Sequence, residues 1–329
     1  MSKRLHITVI AVLTLLSCSF FVAITQGSSR ENPEVIEEEV MTTVQALVLG
    51  IVEGVTEYLP VSSTGHLLLA EKIMGIGEDP FQAPARQERT KEAADAYTIC
   101  IQAGAILAVL WLYFGRIKQI LQGVMGKDSA GRSLLFNVAA GFLPAAVLGL
   151  LFNKAIKSYL FGPWPVVIAW LLGGLAILAV SRRNQGRYQE SRPGGALDEM
   201  TWRMALIIGL AQCIAMWPGI SRSLVTIVGG LLVGLSMEAA VEYSFLLGVV
   251  TLGAATAYDT LKHGRLMLQT FNHYALIIGV MVAFIAAIIS VKWMVSYLSR
   301  HGLEAFGYYR VIIAVAAAIF LLTTKMIWI

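Results

Sequence analysis

Six stretches of the chain, at about 96–114, 134–152, 164–181, 241–258, 274–295 and 308–327, are apolar over lengths that can cross a lipid bilayer. A helix needs roughly 20 apolar residues for that. No other feature constrains the fold as strongly. The hydrocarbon holds no water, so a spanning segment must satisfy its own backbone hydrogen bonds, as a helix does. Composition agrees: 57% of the 329 residues are hydrophobic and only 14% are charged, against about 25% charged in soluble domains. The chain therefore reads as an all-α integral membrane bundle. Its net charge of +4 is too mild for nucleic acid and is ordinary for loops that face anionic headgroups. Cys18, Cys100 and Cys213 lie far apart in apolar segments, with no CxxC spacing. Neither a disulfide framework nor a zinc site is expected.

The first 40 residues stand apart. Lys3 and Arg4 precede an apolar stretch from Ile7 to Ile24, and an acidic linker follows from Glu31 to Glu39. This is the pattern of a signal peptide or signal anchor. Residues 41–329 form the membrane domain. The loops at 115–133 and 182–203 are rich in Lys and Arg, whereas 75–95 holds five acids against three bases. The positive-inside rule places the two basic loops in the cytoplasm and the acidic one outside.

Two further apolar segments, 44–74 and 204–235, are each broken near the middle, at Pro60 and Pro218. Ala46-Leu-Val-Leu-Gly50-Ile-Val-Glu53 aligns with Ala205-Leu-Ile-Ile-Gly209-Leu-Ala-Gln212, and both run on to a proline and a serine cluster. Three spans follow each. The expected architecture is an inverted repeat with halves at about 44–181 and 204–327. Each half would hold one re-entrant broken helix pair plus three transmembrane helices. Broken helices in such repeats place polar groups near the bilayer midplane.

The breaks carry the chemistry. Gly50, Glu53, Gly54 and Glu57 recur at i, i+3, i+4 and i+7, so two carboxylates share one helix face with glycines that admit a close neighbour. An ionisable residue costs about 2.5–3.5 kcal/mol at a helix centre in lipid. The bland alternative is a helix end at the headgroups with both acids solvated. After Pro60 comes Val61-Ser62-Ser63-Thr64-Gly65-His66. Ser62 or Ser63 would cap the next helix, whose free N–H groups attract phosphate. Ser63 and His66 are three residues apart and can share a face, which suits nucleophilic or acid–base phosphoryl transfer. An N-cap beside a lone interfacial histidine is the plain reading of the same residues. In the second break, Trp217-Pro218-Gly219-Ile220-Ser221-Arg222-Ser223, Arg222 is the only charged side chain between Met204 and Met237. A guanidinium grips phosphate bidentately; its other natural partner is Glu53 or Glu57. Carboxylates beside phosphate call for a bridging hard cation, Mg²⁺ or Ca²⁺, on Glu53 and Glu57. The bilayer calls for a substrate with a lipid tail.

The run from Glu53 to His66 resembles the signature of the undecaprenyl-diphosphate phosphatase family, also called bacitracin-resistance proteins. Pro218 to Ser223 resembles its second signature, and Gln102-Ala-Gly-Ala-Ile-Leu-Ala108 a further family stretch. The resemblance spans roughly residues 42–327. It implies hydrolysis of undecaprenyl diphosphate to undecaprenyl phosphate and inorganic phosphate, with a divalent cation. The reaction would take place at the outer face of a bacterial plasma membrane and recycle the lipid carrier for cell-wall synthesis. Carried over by position, Glu53 and Glu57 would serve metal or base chemistry. Ser63 would be the candidate nucleophile, with a water as the alternative. His66 would be the acid–base partner and Arg222 the clamp on the diphosphate. Ser62, Thr64, Gly65, Gly219, Ser221 and Ser223 would line the diphosphate site. Homo-oligomers are compatible with this reading. Leu224 stands where the family usually has glycine, and the first 40 residues lie outside its pattern. A lipid-phosphate flippase on the same scaffold is the competing reading, although a transporter needs no nucleophile.

Overall fold

The computed structural model describes residues 41–76, 84–189, 195–270 and 273–323. The signal or anchor reading of residues 1–40 lies outside them. The described chain forms α1 (Thr43–Thr56), α2 (Ser63–Ile73), α3 (Pro84–Leu112), α4 (Phe114–Val124), α5 (Ser129–Leu160), α6 (Pro163–Gln189), α7 (Trp202–Gln212), α8 (Arg222–Leu232), α9 (Met237–Thr270), α10 (His273–His301) and α11 (Glu304–Thr323). Short 3₁₀ turns lie at Leu197–Glu199 and Cys213–Met216. No strand occurs among the described residues beyond one isolated bridge between Gly195 and Leu235.

Six helices are long and apolar enough to span: Ala93–Leu112, Ser129–Phe152, Pro163–Arg182, Met237–Lys262, Tyr274–His301 and Glu304–Thr323. These are the six expected runs. Large apolar side chains such as Leu150, Ile289 and Ile312 point outward and are exposed, as lipid contact requires. The chain is a multi-pass membrane protein. By contrast α1, α2, α7 and α8 have 14, 11, 11 and 11 residues. At about 1.5 Å per residue none crosses a hydrocarbon core alone.

The loops are more helical than hydropathy suggests. Helix α3 starts at Pro84, inside the stretch 75–95 expected as a loop. Proline suits the first helical position, and the Ala, Arg, Gln, Glu and Lys residues that follow are strong helix formers. Helix α4 likewise occupies part of the 115–133 loop, and α6 runs on to Gln189. Arg116 on α4 pairs with Glu242 at 2.9 Å and with Asp198 at 3.1 Å. The two basic loops therefore lie at one end of the bundle, as the charge pattern expects.

The short helices pack through glycine. A Cβ at Gly54 would stand 2.3 Å from the Ala283 carbonyl oxygen, and one at Gly50 would stand 2.7 Å from that of Gly279. Helix α1 thus lies backbone to backbone on α10, the neighbour that its glycine stripe anticipates. Its counterpart α7 lies on α5, where a Cβ at Gly209 would stand 2.3 Å from the Gly141 carbonyl oxygen. Each half therefore packs its first short helix on the second span of the other half. The register that pairs Ala46 with Ala205 also pairs Ser62 with Ser221. These two serines are the only non-glycine residues at positive φ among the described residues, at 74° and 77°. Such a conformation costs about 1–3 kcal/mol and persists only where the surroundings enforce it.

Candidate active site

Both breaks meet inside the bundle. Glu57 ends α1 and is buried. One of its carboxylate oxygens accepts the Ser63 hydroxyl proton. The other accepts Arg222 Nη2 at 3.1 Å. A serine hydroxyl, a carboxylate and a guanidinium thus form one chain across the two halves. Arg222 also donates Nη1 to the Ser244 carbonyl at 2.9 Å and lies over the Tyr58 ring, 5.3 Å from its centroid. Its Nε has no hydrogen-bond partner. Space for the guanidinium comes from Gly248, where a Cβ would stand 2.0 Å from Nη1.

Glu53, one helical turn before Glu57, is fully buried, and neither carboxylate oxygen has a partner. Such an orphaned acid is costly unless it is protonated or bound to a cation. No group of three or more His, Cys, Asp or Glu side chains that could hold a metal occurs among the described residues.

The hydroxyl and the imidazole part company. His66 stands on α2 three residues after Ser63, but Ser63 donates to Glu57 while His66 bonds elsewhere. Its Nδ1 is 2.7 Å from the Ser62 carbonyl oxygen and its Nε2 is 2.7 Å from the Tyr309 hydroxyl. The ring stacks on Tyr309, with centroids 5.7 Å apart and planes 8° apart, and meets Trp170 edge-on at 5.1 Å. Gly65 lies flat against Trp170, where a Cβ would clash at 2.4 Å, and Thr64 faces outward.

The helix starts also differ from the expected capping. Neither Ser62 nor Ser63 caps α2: Ser62 is the N-cap residue, and its side chain makes no cap hydrogen bond. The first N–H groups of α2 are left without a side-chain acceptor. In the second break the Ser221 hydroxyl does cap α8, accepting from Leu224 N at 3.3 Å. This ties down the backbone at Leu224. Ser221 and Ser223 both donate to the Leu59 carbonyl, at 3.4 Å and 2.8 Å. Their hydroxyls fasten one break to the other. Gly219 has φ 99° and is pressed against Val166 and Ala169, so no side chain fits there.

Arg310 escaped sequence reasoning. It is fully buried and donates to the carbonyls of Pro60 (3.2 Å), Ala169 (3.0 Å) and Gly219 (2.7 Å). One guanidinium thus holds the carbonyls of both breaks. The signal was present: between Glu304 and Lys325 Arg310 is the only charged residue, and an ionisable group inside a span marks a functional or structural centre. Tyr309 carried no such signal.

The profile of the family described as "Bacitracin resistance protein BacA" matches residues 46–316. The chain belongs to that family. It is 43% identical over 267 residues to an undecaprenyl-diphosphatase of Sorangium cellulosum, covering 81% of this chain and 82% of that one. It is 43% identical to undecaprenyl-diphosphatase 2 of Rhodospirillum rubrum, over 83% of this chain and 93% of the relative. The undecaprenyl-diphosphatase of Nitrosomonas europaea is 44% identical over 81% of this chain and 90% of its own length. The BacA match contains both breaks and Arg310, so every residue of the site lies inside the shared region.

Proposed function

We propose that this BacA-family chain hydrolyses undecaprenyl diphosphate to undecaprenyl phosphate and inorganic phosphate. The observation that carries the reading is the Ser63–Glu57–Arg222 chain. A carboxylate that already accepts the serine proton can act as its general base. Ser63 Oγ then attacks the terminal phosphorus, and the bond to the bridging oxygen breaks to release undecaprenyl phosphate. Water cleaves the resulting phosphoserine to give inorganic phosphate. Arg222, with its unused Nε and one Nη already drawn to an anion, stabilises charge on the transferring group. The open N–H groups at the start of α2, from Ser63 to Gly65, suit a phosphate oxygen. Ser62, Gly219, Ser221 and Ser223 support the site by holding the breaks in shape. His66 exchanges protons in turnover. The lipid-phosphate flippase reading draws no support from the relatives, whose names are those of phosphatases.

A divalent cation fits the donor set. Glu53 offers two buried unpaired oxygens, and Glu57 stands one turn away. With few protein ligands, Mg²⁺ or Ca²⁺ would complete its shell with substrate phosphate and water. Bound there, the cation would offset the repulsion between carboxylate and diphosphate. On the positive-inside rule the two basic loops are cytoplasmic, and the site would open to the outer side of a bacterial plasma membrane. Phosphate release from undecaprenyl diphosphate by the purified protein tests both claims. Release that stops with chelator and returns with Mg²⁺ or Ca²⁺ is expected. Full turnover in excess chelator would remove the metal. Binding or transport of the lipid without phosphate release would overturn the phosphatase reading.

A further inference from the structure

His66 sits between two oxygens of different kind. The Ser62 carbonyl can only accept, so Nδ1 carries the proton and donates to it. The lone pair of the neutral ring is then on Nε2, and the Tyr309 hydroxyl lies 2.7 Å from it. The phenol donates to that lone pair. If Nε2 takes a proton, both ring nitrogens become donors and the hydroxyl must turn to accept. The near-parallel stacking of the two rings fixes the plane in which this exchange runs. Trp170 closes another side of the imidazole and is itself held by donating Nε1 to the Val61 carbonyl at 2.9 Å. Tyr309 is 43% exposed, so its hydroxyl stands between the half-buried ring and the space outside.

We propose that Tyr309 is the positioning residue for His66: its hydroxyl holds the Nε2 lone pair and is the ring's immediate proton partner. The inference rests on the phosphatase reading for its kinetic consequence and on geometry alone for the rest. It explains how Ser63 and His66 can share a helix face without sharing a proton. Glu57 serves the serine, and the tyrosine serves the histidine. Among the elements packed on the imidazole, α11 supplies Tyr309 and the charge of Arg310, and α6 supplies the uncharged Trp170.

Tyr309→Phe keeps the stacked ring and removes only the hydroxyl. We expect kcat to fall roughly 10- to 100-fold, on the scale known for the hydrogen-bond partners of metal-ligating histidines, with KM little changed. A second measurement needs no turnover. Diethyl pyrocarbonate reacts with an unshielded imidazole nitrogen, so mass spectrometry should show faster modification of His66 in Tyr309→Phe than in wild type. Wild-type kcat and a wild-type rate of His66 modification in the variant would overturn the proposal. Failure of the wild type to release phosphate would end the phosphatase reading instead, and the modification rate would still decide the role of Tyr309.

Discussion

The two breaks share a backbone device and differ in what they do with it. Each turns through a serine at positive φ and starts a helix of 11 residues. In the first break that helix start is open: Ser62 gives no side-chain cap, Ser63 reaches back to Glu57, and an imidazole follows one turn later. In the second the start is capped by Ser221, and both serine hydroxyls are spent on the Leu59 carbonyl. Only Arg222 projects into the site. The two matching turns thus differ: the first leaves its helix start without a side-chain cap and joins Ser63 to Glu57, and the second ties its serines to the first break and lends one positive charge. In the alignment of the two segments Ser63 corresponds to Arg222 and Glu53 to Gln212, whose Oε1 accepts from Thr251 at 3.3 Å.

Substitutions should expose that asymmetry. The largest effect is expected for Ser63→Ala. If this hydroxyl is the nucleophile, phosphate release should drop on the order of 10⁴-fold or more while lipid binding survives, since removing a nucleophile costs that much elsewhere. A loss of only about 0.5–2 kcal/mol, the worth of a hydrogen bond, would show that water attacks. Next comes Arg222→Lys, which keeps the charge but loses the planar fork shared between Glu57 and Ser244. A fall of roughly 10²- to 10³-fold in turnover is expected, the range seen when one transition-state donor is removed. Near-normal turnover would reduce Arg222 to a diffuse charge. The smallest effect belongs to Ser223→Ala. Losing its bond to Leu59 should lower stability by about 0.5–1.5 kcal/mol and leave turnover almost unchanged. Should it instead match Arg222→Lys in depth, Ser223 contacts the diphosphate and the second break is not merely a brace.

The local features of the fold were legible because they are periodic or compositional. Hydropathy marks what lipid will accept, so all six spans stood out. The i, i+3, i+4 and i+7 spacing placed Gly50, Glu53, Gly54 and Glu57 on one face, and the structure lays that face on α10. Hydropathy does not report helicity outside lipid, so the start of α3 at Pro84 falls in a stretch that reads as loop.

By itself, the sequence determined the all-α membrane class, the two proline–serine breaks and the family, and it offered a carboxylate, Glu53 or Glu57, as the alternative partner of Arg222. Which carboxylate, and what else surrounds it, was left to the tertiary structure. Glu57 rather than Glu53 takes both Ser63 and Arg222, the latter across 165 positions. His66 finds Tyr309 across 243 positions, and Arg310 finds Pro60 across 250. A buried polar group must find a partner wherever the packing offers one, and no local period encodes a partner on a distant helix. Helix contacts such as Gly54 on Ala283 and Gly209 on Gly141 set those distances. The local sequence therefore says which groups need partners, and the packing of the two halves decides which ones they receive.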